Sequence, residues 1–295
     1  MHGGSTCKFS NLRLHRIVFV VMIYINFNGS LHFKTDAIFT SQNRFAFGDG
    51  FIESFRVFND KITFETLHEN RIKASCEVLF LELEKFNLEE EVSKVLIANK
   101  LKNARVRIHF FRVGNGRYLP ETNQCDFLVE AEDDNVQAFH LHTIETISLS
   151  KQYFKASHSL GNIKSSSALL FVLAAKEANK NTWNDAILLN ENKAICEATS
   201  SNVFIRKSDG LLLTPPLNSG CVAGVMRQKV LQLLQQNSYQ IYEQNFTVSE
   251  LENAAEIFLT NATKGIQSVV KFNNKKLENN IAIELVSLLN KEIGL

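Results

Sequence analysis

Two residue types, 33 positions apart, carry the clearest chemistry in this chain. Lys164 closes the stretch Gly161-Asn162-Ile163-Lys164, and Glu197 opens Glu197-Ala198-Thr199-Ser200-Ser201-Asn202-Val203-Phe204. A lysine amine condenses with an aldehyde. A carboxylate held beside a ring nitrogen keeps that nitrogen protonated, which turns the ring into an electron sink. Burial near cations lowers a lysine's pKa and makes it a usable nucleophile and base. Lys151 and Lys155 lie close by, but only Lys164 stands at a strand end leading into a helical run, Ser165 through Ala178.

A second stretch suits an anion. Leu213 to Gln228 holds two prolines and two glycines, a loop shaped to open a helix. Unpaired amides at a helix N-terminus favour a phosphate.

These motifs, with Gly48-Asp49-Gly50 before them and in the same order, resemble the class-IV aminotransferase family, fold type IV of the pyridoxal phosphate enzymes. The resemblance runs from about residue 22 to 285. It implies an α/β protein of two domains, a small α/β domain and a larger pseudo-barrel α/β domain, with pyridoxal 5'-phosphate between them. It makes Lys164 the catalytic residue and Glu197 the partner of the pyridine nitrogen. It puts Arg71 and the amides of Val225 and Met226 on the phosphate. Phe258-Leu259-Thr260-Asn261-Ala262-Thr263 resembles the cofactor strand, so Ala262 and Thr263 are expected at the cofactor, with Asn261-Ala262 where many aminotransferases have glycine-threonine. Arg56 and Arg117 align with positions that face substrate, where either a carboxylate-binding or a structural role is open. Family members are homodimers whose active site borrows a partner loop, so a homodimer is expected.

The reaction is less sharply implied. Val222-Ala223-Gly224-Val225-Met226-Arg227-Gln228 and Asn261-Ala262 resemble 4-amino-4-deoxychorismate lyases, which release pyruvate and 4-aminobenzoate. The alternative is an aminotransferase moving the amine of a branched-chain or similar amino acid to 2-oxoglutarate. Leu169 stands where branched-chain enzymes prefer tyrosine, and Leu119 where D-amino-acid enzymes prefer histidine. Retention of Lys164, Glu197 and Arg71 argues against a catalytically dead scaffold.

The elements that must position these groups follow from pattern. Asn28-Gly29 and Asn59-Asp60 read as hairpin turns. His68 to Leu83 has helical spacing. Leu88 to Leu101 is amphipathic, with Asn87 as N-cap and Glu89, Glu90 and Glu91 in its first turn. Val106 to Phe111 and Asp126 to Ala131 read as strands. The polar run Glu132-Asp133-Asp134-Asn135 is the linker candidate. The expected division is a small domain over 22–132, a linker at 133–137 and a large cofactor domain over 138–295. Beyond it come strands at Thr143 to Leu149, Ala186 to Leu189, Asn202 to Ile205, Leu211 to Thr214, Tyr239 to Gln244 and Glu256 to Thr260. Helices are expected over Ser166 to Ala178, Gly224 to Gln236, Val248 to Ala254 and the C-terminus.

Composition sets outer bounds. The chain has 295 residues, 45% of them hydrophobic, enough for a core without staples. Lys and Arg number 32 against 31 acidic residues, a balance that suggests neither a nucleic-acid nor a membrane surface. Five cysteines at 7, 76, 125, 196 and 221 are an odd number without metal-ligand spacing, and read as reduced thiols of a cytoplasmic protein. The eight histidines show no metal or triad spacing, and His68 and His109 read as structural. Arg13 to Arg16 precede an apolar run too short to span a bilayer. Met22 reads as the functional start, and residues 1–21 as a poorly ordered extension.

Overall fold

A computed structural model describes residues 23–36, 38, 44–273 and 275–295. The expected extension 1–21 and the start at Met22 lie outside the described residues.

The first part of the chain builds one antiparallel sheet. Its strands are β1 (Tyr24–Phe27), β2 (Ser30–Phe33), β3 (Gly50–Phe58), β4 (Lys61–Ile62), β5 (Ala104–Arg112) and β6 (Cys125–Asp133), in the order β2-β1-β6-β5-β3-β4. Both hairpin turns fall where the sequence put them. Asn28, Gly29, Asn59 and Asp60 all have positive φ, as a two-residue turn between twisted strands requires. Helices α1 (Glu65–Leu79) and α2 (Leu88–Asn99) cover the sheet through Ile72, Val92 and Val95, packed with Phe55, Val106 and Phe110. The Asn87 side chain caps α2 by accepting from the Glu90 amide at 2.8 Å. Helix α1 stops four residues before the expected Leu83. Phe80 turns left-handed (φ 52°) and Leu81 donates back to the Cys76 carbonyl, which lets Leu81 bury while Phe80 faces out.

The chain leaves this sheet at Asp133 and enters the second at His142. The second sheet comprises β7 (His142–Lys155), β8 (Asp185–Asn190), β9 (Ile195–Ala198), β10 (Asn202–Arg206), β11 (Leu212–Thr214), β12 (Ile241–Glu243), β13 (Glu256–Asn261), β14 (Gly265–Phe272) and β15 (Lys275–Lys276). Its order is β12-β11-β10-β13-β14-β7-β8-β9, with β15 beside β14. Helices α3 (Leu169–Lys180), α4 (Val225–Gln236), α5 (Val248–Asn253) and α6 (Asn280–Glu292) complete it. Strands β9 and β10 are five places apart in that order, yet residues 199–201 alone join them. Flat, they would stand about 24 Å apart, whereas three linking residues reach only about 14 Å. The sheet therefore curls into a half-barrel.

Three differences from the sequence reading bear on the site. Strand β7 runs on past Leu149 to Lys155, through a register shift against β8 between Leu149 and Phe154. Strand β14 was not expected. Its first five residues are all buried, so it carries no alternation to read. Helix α3 begins at Leu169 and not Ser166, because residues 164–166 pair with β3. Ile52 donates to the Lys164 carbonyl (2.8 Å) and Ser166 to the Gly50 carbonyl (3.0 Å).

Candidate active site

Between the two sheets lies a cavity of about 380 Å³. Lys164, Glu197 and Arg71 line it, as do Val225 and Met226 at the start of α4, and Ala262 and Thr263 in the β13–β14 turn. Residues from five separate stretches of chain thus meet at one hollow.

Lys164 is held by backbone pairing with β3 and follows the buried Ile163. Its Nζ lies 3.4 Å from the Ser54 hydroxyl. Burial, helped by the nearby Arg71 and Arg107 charges and opposed by Glu53, pulls its pKa down to about 8. A pKa this close to neutrality leaves a far larger share of free amine than an ordinary lysine has, as a nucleophile and proton carrier needs.

Glu197 precedes the expected strand at Asn202, but it lies within a short strand of its own, β9, and is buried. One carboxylate oxygen pairs with the Lys155 ammonium, and the other accepts from the Val222 amide at 2.9 Å. Burial pushes its carboxyl upward, against the lowering by Lys155 and by the Val222 bond.

The anion end is equally tied down. Gly224 starts α4 with no side-chain cap, which leaves the first amides of the helix without a side-chain partner. Arg71 reaches the same place, donating from one guanidinium nitrogen to the Ala223 carbonyl (3.3 Å). Its other nitrogens grip Glu53, which also meets His68 Nδ1 at 2.5 Å. Burial alone would raise the Glu53 carboxyl, but Arg71 and His68 outweigh it and bring it down to about 2. The loop before α4 is further pinned by Asn202 on the Val222 carbonyl (2.8 Å) and Asn162 on the Ala223 amide (2.9 Å). A Cβ at Gly224 would stand 2.1 Å from the Asn202 amide oxygen, so this close approach requires glycine.

The expected substrate arginines are placed elsewhere. Arg56 does not line the cavity. It is buried, with its guanidinium spent on the Thr263 carbonyl and on Asp134. Arg117 lies on an exposed loop away from this cavity, and its carbonyl accepts from Arg44 at 2.8 Å. Two other arginines line the cavity: Arg105, paired with Glu132, and Arg107, exposed on the same face of β5. The signal for them was present. Arg105 and Arg107 alternate with the buried Val106 and Ile108, so they had to share a face. Lys155 was also passed over, because nothing in Lys151-Gln152-Tyr153-Phe154-Lys155 announces a strand end turned inward.

A model of the amino-transferase class IV family matches residues 50–272. The chain belongs to that family. Its relatives there carry different activities. It is 25% identical over 258 residues to a putative branched-chain-amino-acid aminotransferase of Methanocaldococcus jannaschii, covering 83% of this chain and 86% of the other. It is 26% identical to an aminodeoxychorismate lyase of Vibrio harveyi (76% and 83% covered) and to a D-alanine aminotransferase of Staphylococcus haemolyticus (87% and 91%). The fold matches that of the branched-chain aminotransferase from Thermoproteus uzoniensis with a TM-score of 0.83, at 20% identity over 92% of this chain and 94% of that one.

This class IV protein is an enzyme whose cofactor is pyridoxal 5'-phosphate. The cavity fits that group. It offers the half-buried amine of Lys164, the buried carboxylate of Glu197, an uncapped helix start and the guanidinium of Arg71 beside it. The buried Thr260 hydroxyl also lines it and has no hydrogen-bond partner among the described residues. Among those residues no helix is long and apolar enough to cross a membrane.

Proposed function

We propose that this class IV enzyme is a 4-amino-4-deoxychorismate lyase, with Lys164 as its catalytic residue. Glu197 would face the pyridine nitrogen. Arg71 and the Val225 and Met226 amides would hold the phosphate, with Ala262 and Thr263 beside it. The observation that carries the choice of reaction is the cationic lining of the cavity: Arg105, Arg107 and Lys264 stand there besides Lys164 and Arg71. The products, 4-aminobenzoate and pyruvate, each keep a carboxylate, so the substrate brings two. Two guanidinium groups suit such a dianion better than they suit an aliphatic side chain.

Pyridoxal phosphate supplies an aldehyde for amines and a ring that stores an electron pair. Lys164 contributes the remaining chemistry. With the cofactor and substrate bound, its neutral nitrogen would take the proton from the amine-bearing ring carbon of the substrate. The bond from the ring to the enolpyruvyl oxygen breaks, the departing enol takes up a proton as pyruvate, and the ring becomes aromatic. Glu197 would keep a proton at the pyridine nitrogen, and Arg107 would receive a carboxylate.

The second reading is transamination between a branched-chain or similar amino acid and 2-oxoglutarate. It is favoured by the apolar wall of Ile52, Phe171 and Met226. Incubating the holoenzyme with each substrate separates them. Pyruvate with 4-aminobenzoate supports the lyase, and glutamate formed from leucine and 2-oxoglutarate rejects it.

We further propose a homodimer in the cytoplasm. Leu169 and Val172, three residues apart on α3, are 67% and 49% exposed, and Tyr118 and Leu119 beside Arg117 are 93% and 85% exposed. That loop is the candidate to enter a partner's cavity, which would bring Arg117 to a substrate after all.

A further inference from the structure

Lys155 has no place in the chemistry so far, yet it is almost completely buried. A lysine in that position needs a reason, since removing an ammonium from water is costly unless it is paired. Its Nζ pairs with one oxygen of Glu197 and sits 5.2 Å from the centre of the Phe171 ring. Phe171 and Glu197 both line the cavity, whereas Lys155 does not. The ammonium therefore stands behind the carboxylate, on the side away from the cofactor's space. The second Glu197 oxygen is fixed by the Val222 amide. The carboxylate is thus held at both oxygens while the residue lines the hollow. The extension of β7 past its register shift is what delivers Lys155 here, where it pairs with Asn190 of β8.

We propose that Lys155 is a positioning residue for the cofactor: it fixes the Glu197 carboxylate, in orientation and in charge, for the pyridine nitrogen. Neutralised or left to swing, Glu197 could not hold a ring proton. An ion pair assembled before the cofactor arrives also means that the ring meets a carboxylate already desolvated and aimed. The inference rests on the assignment of Glu197 to the ring nitrogen, and is independent of whether the enzyme is a lyase or an aminotransferase.

A double-mutant cycle on pyridoxal phosphate binding tests it, read by equilibrium dialysis and by the visible absorption of the lysine-bound cofactor across pH. Lys155→Met is expected to weaken binding on the order of tenfold or more and to move the pH midpoint of the visible band. Lys155→Arg should restore both. In a Glu197→Gln background, Lys155→Met should change binding less than about twofold, because no charge remains to be positioned. An equal loss in both backgrounds, or a Lys155→Met protein with wild-type affinity and spectrum, overturns the proposal. If Lys155→Met does not fold, Lys155→Arg and the neutral pair Lys155→Met/Glu197→Gln decide it. The arginine variant must then bind like wild type with an unmoved midpoint, and the neutral pair must bind no better than Glu197→Gln alone. Wild-type binding by Glu197→Gln itself would remove the ring-nitrogen assignment and this proposal with it. Impaired Glu197→Gln beside unimpaired Lys155→Met would remove only the proposal.

Discussion

At the scale of single residues, the amine of Lys164 sets the first expectation. Its folded pKa of about 8 lies below the ordinary 10.5, so between those values the unfolded chain binds more protons. Stability from this group therefore rises with pH across that window and is at its worst below pH 8, where a charged amine stays buried. Apo Lys164→Met should accordingly melt above the apo wild type at pH 7, with the gap closing toward pH 10; paired thermal melts would show it. Glu53 gives a second expectation. It is a buried carboxylate gripped by Arg71 and His68, and Glu53→Gln should cost about 3 kcal/mol in urea unfolding while loosening phosphate binding through Arg71. Lysine, glutamate and Arg71 were legible because their neighbours in sequence travel with them. The arginines of the cavity were legible only in part: the alternation of β5 puts Arg105 and Arg107 on one face, but nothing local says that this face meets the hollow. Alignment to motif picks out Arg56, but only the packed structure reveals that Asp134 and Thr263 have already consumed it. Lys155 was illegible for the same reason: its partner is 42 residues away in sequence.

Elements were readable in proportion to how amphipathic they are. Helix α2, with its Asn87 cap and acidic first turn, stands almost where pattern placed it, and so does α4 from Val225 to Gln236. Strand β14 escaped because burial of consecutive residues erases the alternation on which strand reading depends. The start of α4 is the element whose placement matters most to cofactor binding. Gly224→Ala should push the Asn202 side chain and the helix N-terminus apart, at a cost of about 1–3 kcal/mol for the crowding. Expected is a clear loss of pyridoxal phosphate affinity in titration, with far-UV circular dichroism unchanged. Unaltered affinity would mean that the α4 amides do not hold the phosphate.

For the whole molecule, the cavity is built from both sheets, so ligand and fold should be strongly coupled. Pyridoxal phosphate at a hundred times its dissociation constant should add about 2.7 kcal/mol to unfolding free energy, measurable as a raised urea midpoint. Leu169→Glu should shift the assembly toward monomer in sedimentation and lower activity with it, if α3 lies in the dimer contact. Neither the curl of the second sheet nor its contact with the first was written in any local pattern. Both follow from short connections and from which strands happen to be neighbours. The pairing of residues 164–166 with β3 has the widest reach. By sequence Lys164 belongs to the later half of the chain, yet its peptide carbonyl is hooked to Ile52 in the earlier half. Swinging the halves apart would unhook the lysine to which we assign the chemistry. Reactants must therefore come and go through a standing doorway, and its width, more than any opening rate, would decide which amines this enzyme admits.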